Sequence, residues 1–236
     1  YLLLDFVLLF LNNDVNKAVI TLMNIIIVLT PLIGTIFGVM YYYNSKEFTE
    51  LLLAQPINRS KIFMGQYLGI SISLTLSLVL GLGIPFIAYG LFKSAAIFDF
   101  SLLLIVGSFL NFIFVALSYN IALSTENKIK GFGYAILMWL FLAVIYDGLF
   151  LISLVLFDEY PLDKFSLIAT MFNPIDLSRI LILLKLDISA LLGYTGAVFK
   201  EFFGTNTGLI TSLGLLSLWV LAPIWRINTK VKKKDF

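Results

Sequence analysis

Long apolar stretches separated by short polar breaks dominate the chain. Stretches low in charge run over 18–43, 63–92, 101–123, 131–157 and 207–225. Each is long enough to cross about 30 Å of hydrocarbon as a helix, and the longer ones must tilt or project beyond it. Residues 1–11 (YLLLDFVLLFL) are apolar but too short to span, and the chain opens at Tyr1 with no Met. They read as the far half of a helix whose beginning is absent. The pattern therefore predicts an all-α polytopic membrane protein. It forms a single transmembrane unit over 1–236, with six transmembrane helices in the full protein and the first one truncated here. No basic segment or small-residue cleavage site precedes the polar turn at 12–14, so a signal peptide is not expected.

Two regions fit neither span nor simple loop. In 45–56 (SKEFTELLLAQP), Phe48, Leu51, Leu52 and Gln55 recur at i, i+3, i+4 and i+7, with Lys46, Glu47 and Glu50 elsewhere. That spacing predicts a short amphipathic helix, ended by Pro56, with Asn58 placed to cap the next one. In 173–203, Asn173 and Pro174 make a helix start, and Asp176 sits in the first turn near the positive end of the dipole. Ile188, Leu191, Leu192, Thr195, Phe199, Phe202 and Phe203 then mark an apolar face. Neither helix there is long or apolar enough to read as a span. Both are expected on the outer membrane surface or dipping partly into it.

Basic residues orient the spans. Lys46, Arg59 and Lys61 share one short loop, Lys128 and Lys130 the next, and Arg226, Lys230, Lys232, Lys233 and Lys234 the tail 226–236. The opposite side carries fewer basic residues over more chain, together with Asp158, Glu159, Asp163, Asp176, Asp187 and Glu201. The short basic loops and the tail are thus expected in the cytoplasm, and segment 158–206 outside. Both termini of the full protein are then expected in the cytoplasm, with the Lys-rich tail touching anionic lipid.

Composition changes the picture mainly by exclusion. Hydrophobic residues make up 60% and charged ones 13% of the 236, with mean hydropathy +1.01; soluble domains carry about 25% charged residues. There is no Cys and no His, which removes thiolate nucleophiles, imidazole bases and their metal sites. No G-x-x-x-x-G-K-[ST] occurs, so the chain has no nucleotide loop of its own. The net charge of +2 gives no reason to expect nucleic acid.

The stretch YYYNSKEFTELLLAQPINRSKIFMGQYLG resembles the segment after the second span of ABC-2 type (type V) ABC transporter permeases. There an acidic helix leads into L-L-x-x-P-x-x-R-x-x-I-x-x-G, and Glu47, Leu51 to Leu53, Pro56, Arg59, Ile62 and Gly65 match that pattern. Within the family, Leu53-Ala54-Gln55-Pro56, Tyr146-Asp147 and Phe172-Asn173-Pro174-Ile175-Asp176 with Arg179 are similar to NosY-like permeases of the transporter that matures nitrous oxide reductase. The resemblance implies that 45–56 is the coupling helix seated on a separate ATPase, with Glu47, Phe48, Glu50, Leu51, Gln55 and Arg59 as contacts. It also implies a second permease copy and a periplasmic NosD-like partner. ATP and Mg would be bound by the ATPase, with no cofactor and no enzymatic activity in this chain. The other reading of 45–56 is an ordinary interfacial helix lying on lipid.

Ionisable groups inside apolar spans are Asp5 and Asp147. A charge near the bilayer centre costs about 2.5–3.5 kcal/mol or more, so Asp147 should face protein, water or a partner. It is either a polar point on a translocation path, with Asn111 and Asn120 as the other candidates for that path, or a structural acid bonding a neighbouring helix through one of those two asparagines. An intramembrane aspartyl protease would need a second acid in a GxGD phrase, and Gly81-Leu82-Gly83-Ile84 has none. Gly34-x-x-x-Gly38 and Gly65-x-x-x-Gly69 allow close helix contact or dimerisation, though glycine is common in membrane helices generally. Met23, Met40, Met64, Met138 and Met171 are dispersed, which suits core filling better than soft-metal passage. The copper route that a nitrous oxide reductase context invites is accordingly not expected. Asp176 and Arg179 are expected to serve docking of an outer partner. An ion-coupled secondary transporter using Asp147, and a membrane anchor for an outer protein, are the competing functions; convincing inverted repeats, which would favour the former, are not evident.

Overall fold

A computed structural model of the chain describes residues 1–2, 15–88, 97–157, 162–185 and 206–233. The described residues form helices without strands: α1 (Val15–Asn44), α2 (Lys46–Leu53), α3 (Arg59–Ala88), α4 (Ile97–Ser124), α5 (Lys128–Leu140), a π-helical turn (Phe141–Ile145), α6 (Tyr146–Leu156), α7 (Asp163–Met171), α8 (Pro174–Lys185) and α9 (Asn206–Lys233). Among the described residues, five segments are long and apolar enough to cross a membrane: Thr21–Asn44, Arg59–Ala88, Ile97–Ser124, Lys128–Leu156 and Thr207–Lys232. These are the five stretches expected from the sequence, so the protein is an all-α, multi-pass membrane protein. Asp5, most of the short N-terminal apolar run and the apolar face over 188–203 lie outside the described residues.

Local chemistry sets the helix starts. After Pro56 the chain turns, and the Asn58 side-chain carbonyl accepts from the Ser60 amide at 3.0 Å, capping α3 as expected. Asn127 does the same for α5, accepting from the Ile129 and Lys130 amides at 2.9 and 3.1 Å. Asn173 begins α8 by accepting from Ile175 N at 3.0 Å, one residue before the Pro174 that its first turn tolerates.

α1 and α4 share the broadest interface, and α9 and α3 pack against α4 as well. The interior has two apolar clusters. One runs from Leu22, Ile26 and Leu82 through Leu103 and Phe114 to Ile180 and Leu216. The other lies at the basic end, around Tyr42, Phe63, Tyr67, Tyr119 and Ile227. α8 contributes Ile175, Leu177 and Ile180–Leu183 to the first cluster. Its burial departs from the surface position expected for this helix and leaves the other expected placement, a partial dip into the membrane, standing. α7 and α8 are long and apolar enough to cross a membrane only taken together, as a pair bent by 115°. Neither half is long enough to span, which is why composition alone did not read α8 as part of a span; α8 buries its apolar residues against α1 and α4.

The two small-residue pairs behave differently. Gly34 and Gly38 face α4, where a side chain on Gly38 would overlap Ser118 Oγ and approach the Val115 carbonyl oxygen at 3.2 Å. Nothing lies within 4 Å of a side chain added at Gly65 or Gly69. Gly34-x-x-x-Gly38 thus serves contact within the chain. Gly38→Val is expected to cost about 1–3 kcal/mol by overpacking, Gly34→Ala less, and Gly65→Ala close to nothing. Thermal denaturation of the purified protein gives the order, and an unaffected Gly38→Val protein would refute the packing account.

Candidate functional site

At the basic end, α2 hangs between α1 and α3. Ser45 Oγ donates to the Tyr41 carbonyl at 2.8 Å, and Thr49 Oγ1 donates to the Ser45 carbonyl at 2.7 Å. Thr49 is the buried residue of the helix. Its Oγ1 accepts from Gln66 Nε2 at 2.6 Å, and Gln66 Oε1 accepts from the Tyr119 hydroxyl at 2.5 Å. Tyr119 is fully buried, with its ring edge-on to Tyr42 and Phe63 at centroid distances of 5.3 and 6.5 Å. A chain of two hydrogen bonds therefore runs from α2 through α3 into α4. These bonds lie away from water, where leaving either partner unsatisfied is costly.

The other face of α2 is open. Phe48 is 60% and Leu51 68% exposed, and Glu47, Glu50, Gln55 and Arg59 are exposed around them. The Lys46–Glu50 pair at 3.8 Å is solvated and contributes little stability. The expected apolar stripe divides: Leu52 is partly covered, whereas Phe48 and Leu51 point away from the bundle. Two large apolar side chains on one exposed turn are available to a partner. Neighbouring contacts fix this end of the bundle. Tyr43 donates to the Thr125 carbonyl at 2.7 Å, and Lys128 Nζ to Asn44 Oδ1 at 2.9 Å.

A second polar centre sits where the π-helical turn meets the α7–α8 bend. Each residue advances a helix by about 100°, so one extra residue in a turn re-aims everything after it. Beyond this turn, Tyr146 donates to the Ala169 carbonyl at 2.7 Å, and Asp147 Oδ2 accepts from Arg179 at 2.6 Å. Arg179 also lies 3.4 Å from Asp176 Oδ1. Asn173 Nδ2 donates to Asp176 Oδ2 and to the Leu142 carbonyl, both at 2.8 Å. One guanidinium is therefore held between two carboxylates, and Asn173 ties the cluster to the π-helical turn. Trp219 Nε1 adds a bond from α9 to the Met171 carbonyl at 3.2 Å.

This geometry revises several assignments. The partner of Asp147 is Arg179, not Asn111 or Asn120. Asn111 is buried in α4 with both side-chain polar atoms lacking a hydrogen-bond partner, whereas Asn120 donates to the Ala116 and Pro223 carbonyls at the basic end. The three residues proposed for one path are thus not brought together. Asp176, 7% exposed, is turned inward and shares Arg179 with Asp147, so its expected role toward an outer partner meets a different arrangement. Asp147 and Arg179 are 32 positions apart in sequence, and only the bend of α7 on α8 closes that gap. Among the described residues, no three acids, Cys or His come together as a metal-holding group.

Sequence reasoning missed Thr49, Gln66 and Tyr119. Gln66 carried a usable signal, an amide four residues into an apolar stretch. Such a group must find a partner inside the protein.

Comparison with known proteins agrees with this architecture. No family model matches the chain. It is 26% identical over 179 residues to a protein of Stutzerimonas stutzeri described as "Probable ABC transporter permease protein NosY", the match covering 74% of this chain and 58% of that protein. A protein of the same description from Pseudomonas aeruginosa is 25% identical over 189 residues, covering 75% of this chain and 67% of the relative. The chain therefore spans about three-fifths to two-thirds of the length of these curated relatives. With its apolar helices, it is a multi-pass membrane protein similar to ABC transporter permeases.

Proposed function

We propose that the chain is the transmembrane permease subunit of an ABC transporter, with α2 as the helix through which a separate cytoplasmic ATPase moves it. The observation that carries this reading is the two-sided character of α2. Thr49 is locked inward to Gln66, while Phe48 and Leu51 stand outward, ringed by Glu47, Glu50, Gln55 and Arg59. An interfacial helix resting on lipid needs an apolar face but no buried hydrogen-bonded link to two spans. The ATPase would supply ATP and Mg chemistry, and this chain would convert closure of its partner into helix movement without a hydrolytic site of its own.

Two copies of the permease fit the exposed character of the Lys128–Leu156 span, whose most apolar stretch is largely unburied within one copy. The basic end, with α2, the α4–α5 turn and the C-terminus of α9, would face the cytoplasm of a bacterial inner membrane, both termini included. The description of the relatives as NosY and the Phe172–Arg179 motif support a place in nitrous oxide reductase maturation. In that setting a periplasmic NosD-like protein is the outer partner, and cargo export or conformational signalling across the membrane is the output. The Asp147–Arg179–Asp176 cluster favours an ion-coupled carrier as the competing reading.

One experiment separates the two. Phe48→Ala with Leu51→Ala removes both apolar anchors, each contributing about 1.5–3 kcal/mol when fully buried. A partner ABC ATPase from the same cells is expected to co-purify with the native chain and to be lost from the double variant, while the variant still inserts and folds. Unchanged co-purification would sink the coupling assignment.

A further inference from the structure

α9 lines two consecutive cavities. The first, of about 480 Å³, is bounded by Met171, Phe172, Leu215, Leu218, Trp219 and Ala222. The second, of about 570 Å³, is bounded on α9 by Trp219, Ala222, Pro223, Arg226 and Lys230, and on its other sides by α4 and α5. Trp219 and Ala222 border both, so the two adjoin end to end along α9 and are treated together as one trench. From Leu215 to Lys230 it runs about 22 Å at 1.5 Å per residue, close to the length of an extended acyl chain with its headgroup.

Its two ends differ in chemistry. The far end is apolar, and Phe172 and Leu218 on its rim are exposed. At the basic end Arg226 and Lys230 stand one helical turn apart on the same face, and no acid lines the trench. Lys230 Nζ is positioned there by hydrogen bonds to the Asn120 carbonyl and Ser124 Oγ. Arg226 is exposed and makes no ion pair with a described residue. Tyr134 adds a phenol at the same level.

We propose that this trench between α4, α5 and α9 is a binding site for an anionic phospholipid, one acyl chain along Leu215–Pro223 and the phosphate against Arg226 and Lys230. Charge complementarity selects the occupant: an apolar groove alone would suit any hydrocarbon, but two cations closing one end match a phosphate carrying extra negative charge. The site is independent of the ATPase assignment, because it uses no residue of α2.

The test uses the full-length protein reconstituted in nanodiscs of phosphatidylcholine with acyl-brominated phosphatidylglycerol, reading bromine quenching of tryptophan, together with native mass spectrometry of retained lipid. Phosphatidylglycerol is expected to be retained over phosphatidylcholine. In Arg226→Gln with Lys230→Gln, that retention should fall about tenfold or more. Ala222→Trp keeps both cations but fills the trench, and should lose the lipid as well. Glycerol 3-phosphate, which has the headgroup charge without chains, should not displace it. Arg226→Gln alone changes an exposed side chain and keeps the test available if the double variant fails to fold. Equal retention of the two lipids, undiminished retention in the cation variants, or displacement by glycerol 3-phosphate overturns the proposal. So does a shift in oligomeric state without lipid loss, which would make a second copy the occupant.

Discussion

Arg179→Leu is expected to destabilise the protein more than any other single change at its charged positions. The guanidinium lies between Asp147 at 2.6 Å and Asp176 at 3.4 Å, and its loss leaves two carboxylates facing each other with no cation of the cluster remaining. Breaking a buried pair by removing one partner costs about 3–5 kcal/mol. Asp147 and Arg179 keep roughly a quarter to a third of their side chains exposed (26% and 30%), so a loss of about 2–3 kcal/mol is the expected figure. Arg179→Lys keeps the charge but not the planar fork and should fall between. Exchanging the partners, Asp147→Arg with Arg179→Asp, restores one cation between two acids and should recover most of the loss. Thermal denaturation in detergent checks the order. A wild-type melting curve for Arg179→Leu, or no recovery in the exchange, would show that the cluster does not hold the α7–α8 bend.

Asp147→Asn asks a different question of the same cluster. It leaves Asp176 and Arg179 matched one to one, so stability should change little. If the transport-dependent phenotype is lost while the complex stays intact, Asp147 acts on the path; full activity makes it a structural acid.

The sequence was informative where one physical signal acted alone. Five spans emerge from hydropathy because burying an unpaired backbone in lipid leaves helices of fixed minimum length. The starts of α3 and α8 emerge from Asn58 and Asn173, because capping is decided within three residues. The place of α8 did not emerge. Its twelve residues are too few to span, and only the 115° bend after α7 carries them into the core. The partner of Asp147 was hidden for the same reason. Asp176 and Arg179 were visible as an i, i+3 pair, but nothing local says that the bend delivers them to Asp147. Matching the unpaired intramembrane acid to the bases on the same side would have put Arg179 among the candidates. On α2 the pattern identified Phe48 and Leu51, whose apolar character is plain, but not Thr49, whose role depends on an amide 17 positions away.

That amide is the basis of the largest functional effect expected. Gln66→Leu removes both hydrogen bonds that join α2 to α4. The buried Tyr119 hydroxyl loses its acceptor, at a cost of about 1–3 kcal/mol, while Thr49 still donates to the Ser45 carbonyl. α2 then stays attached through its flanking turns and the packing of Leu52 and Leu53, and Phe48 and Leu51 remain exposed for the ATPase. Under the coupling reading, the complex should assemble and hydrolyse ATP, but the work should not reach the spans, and the transport-dependent phenotype should fall about tenfold or more. A rate ratio of that size corresponds to about 1.4 kcal/mol, within what one lost buried link supplies. Two milder variants order the steps. Gln66→Glu keeps an acceptor for Tyr119 but cannot donate to Thr49 when ionised, so it should uncouple while sparing the α3–α4 contact. Tyr119→Phe cuts only the inner bond and leaves α2 fixed to α3. Co-purified ATPase, its hydrolysis rate and, under the proposed function, nitrous oxide reductase maturation in cells give three separate readings. Loss of co-purification in Gln66→Leu would place Gln66 in assembly, and retention of all three would remove the Thr49–Gln66–Tyr119 link from the mechanism.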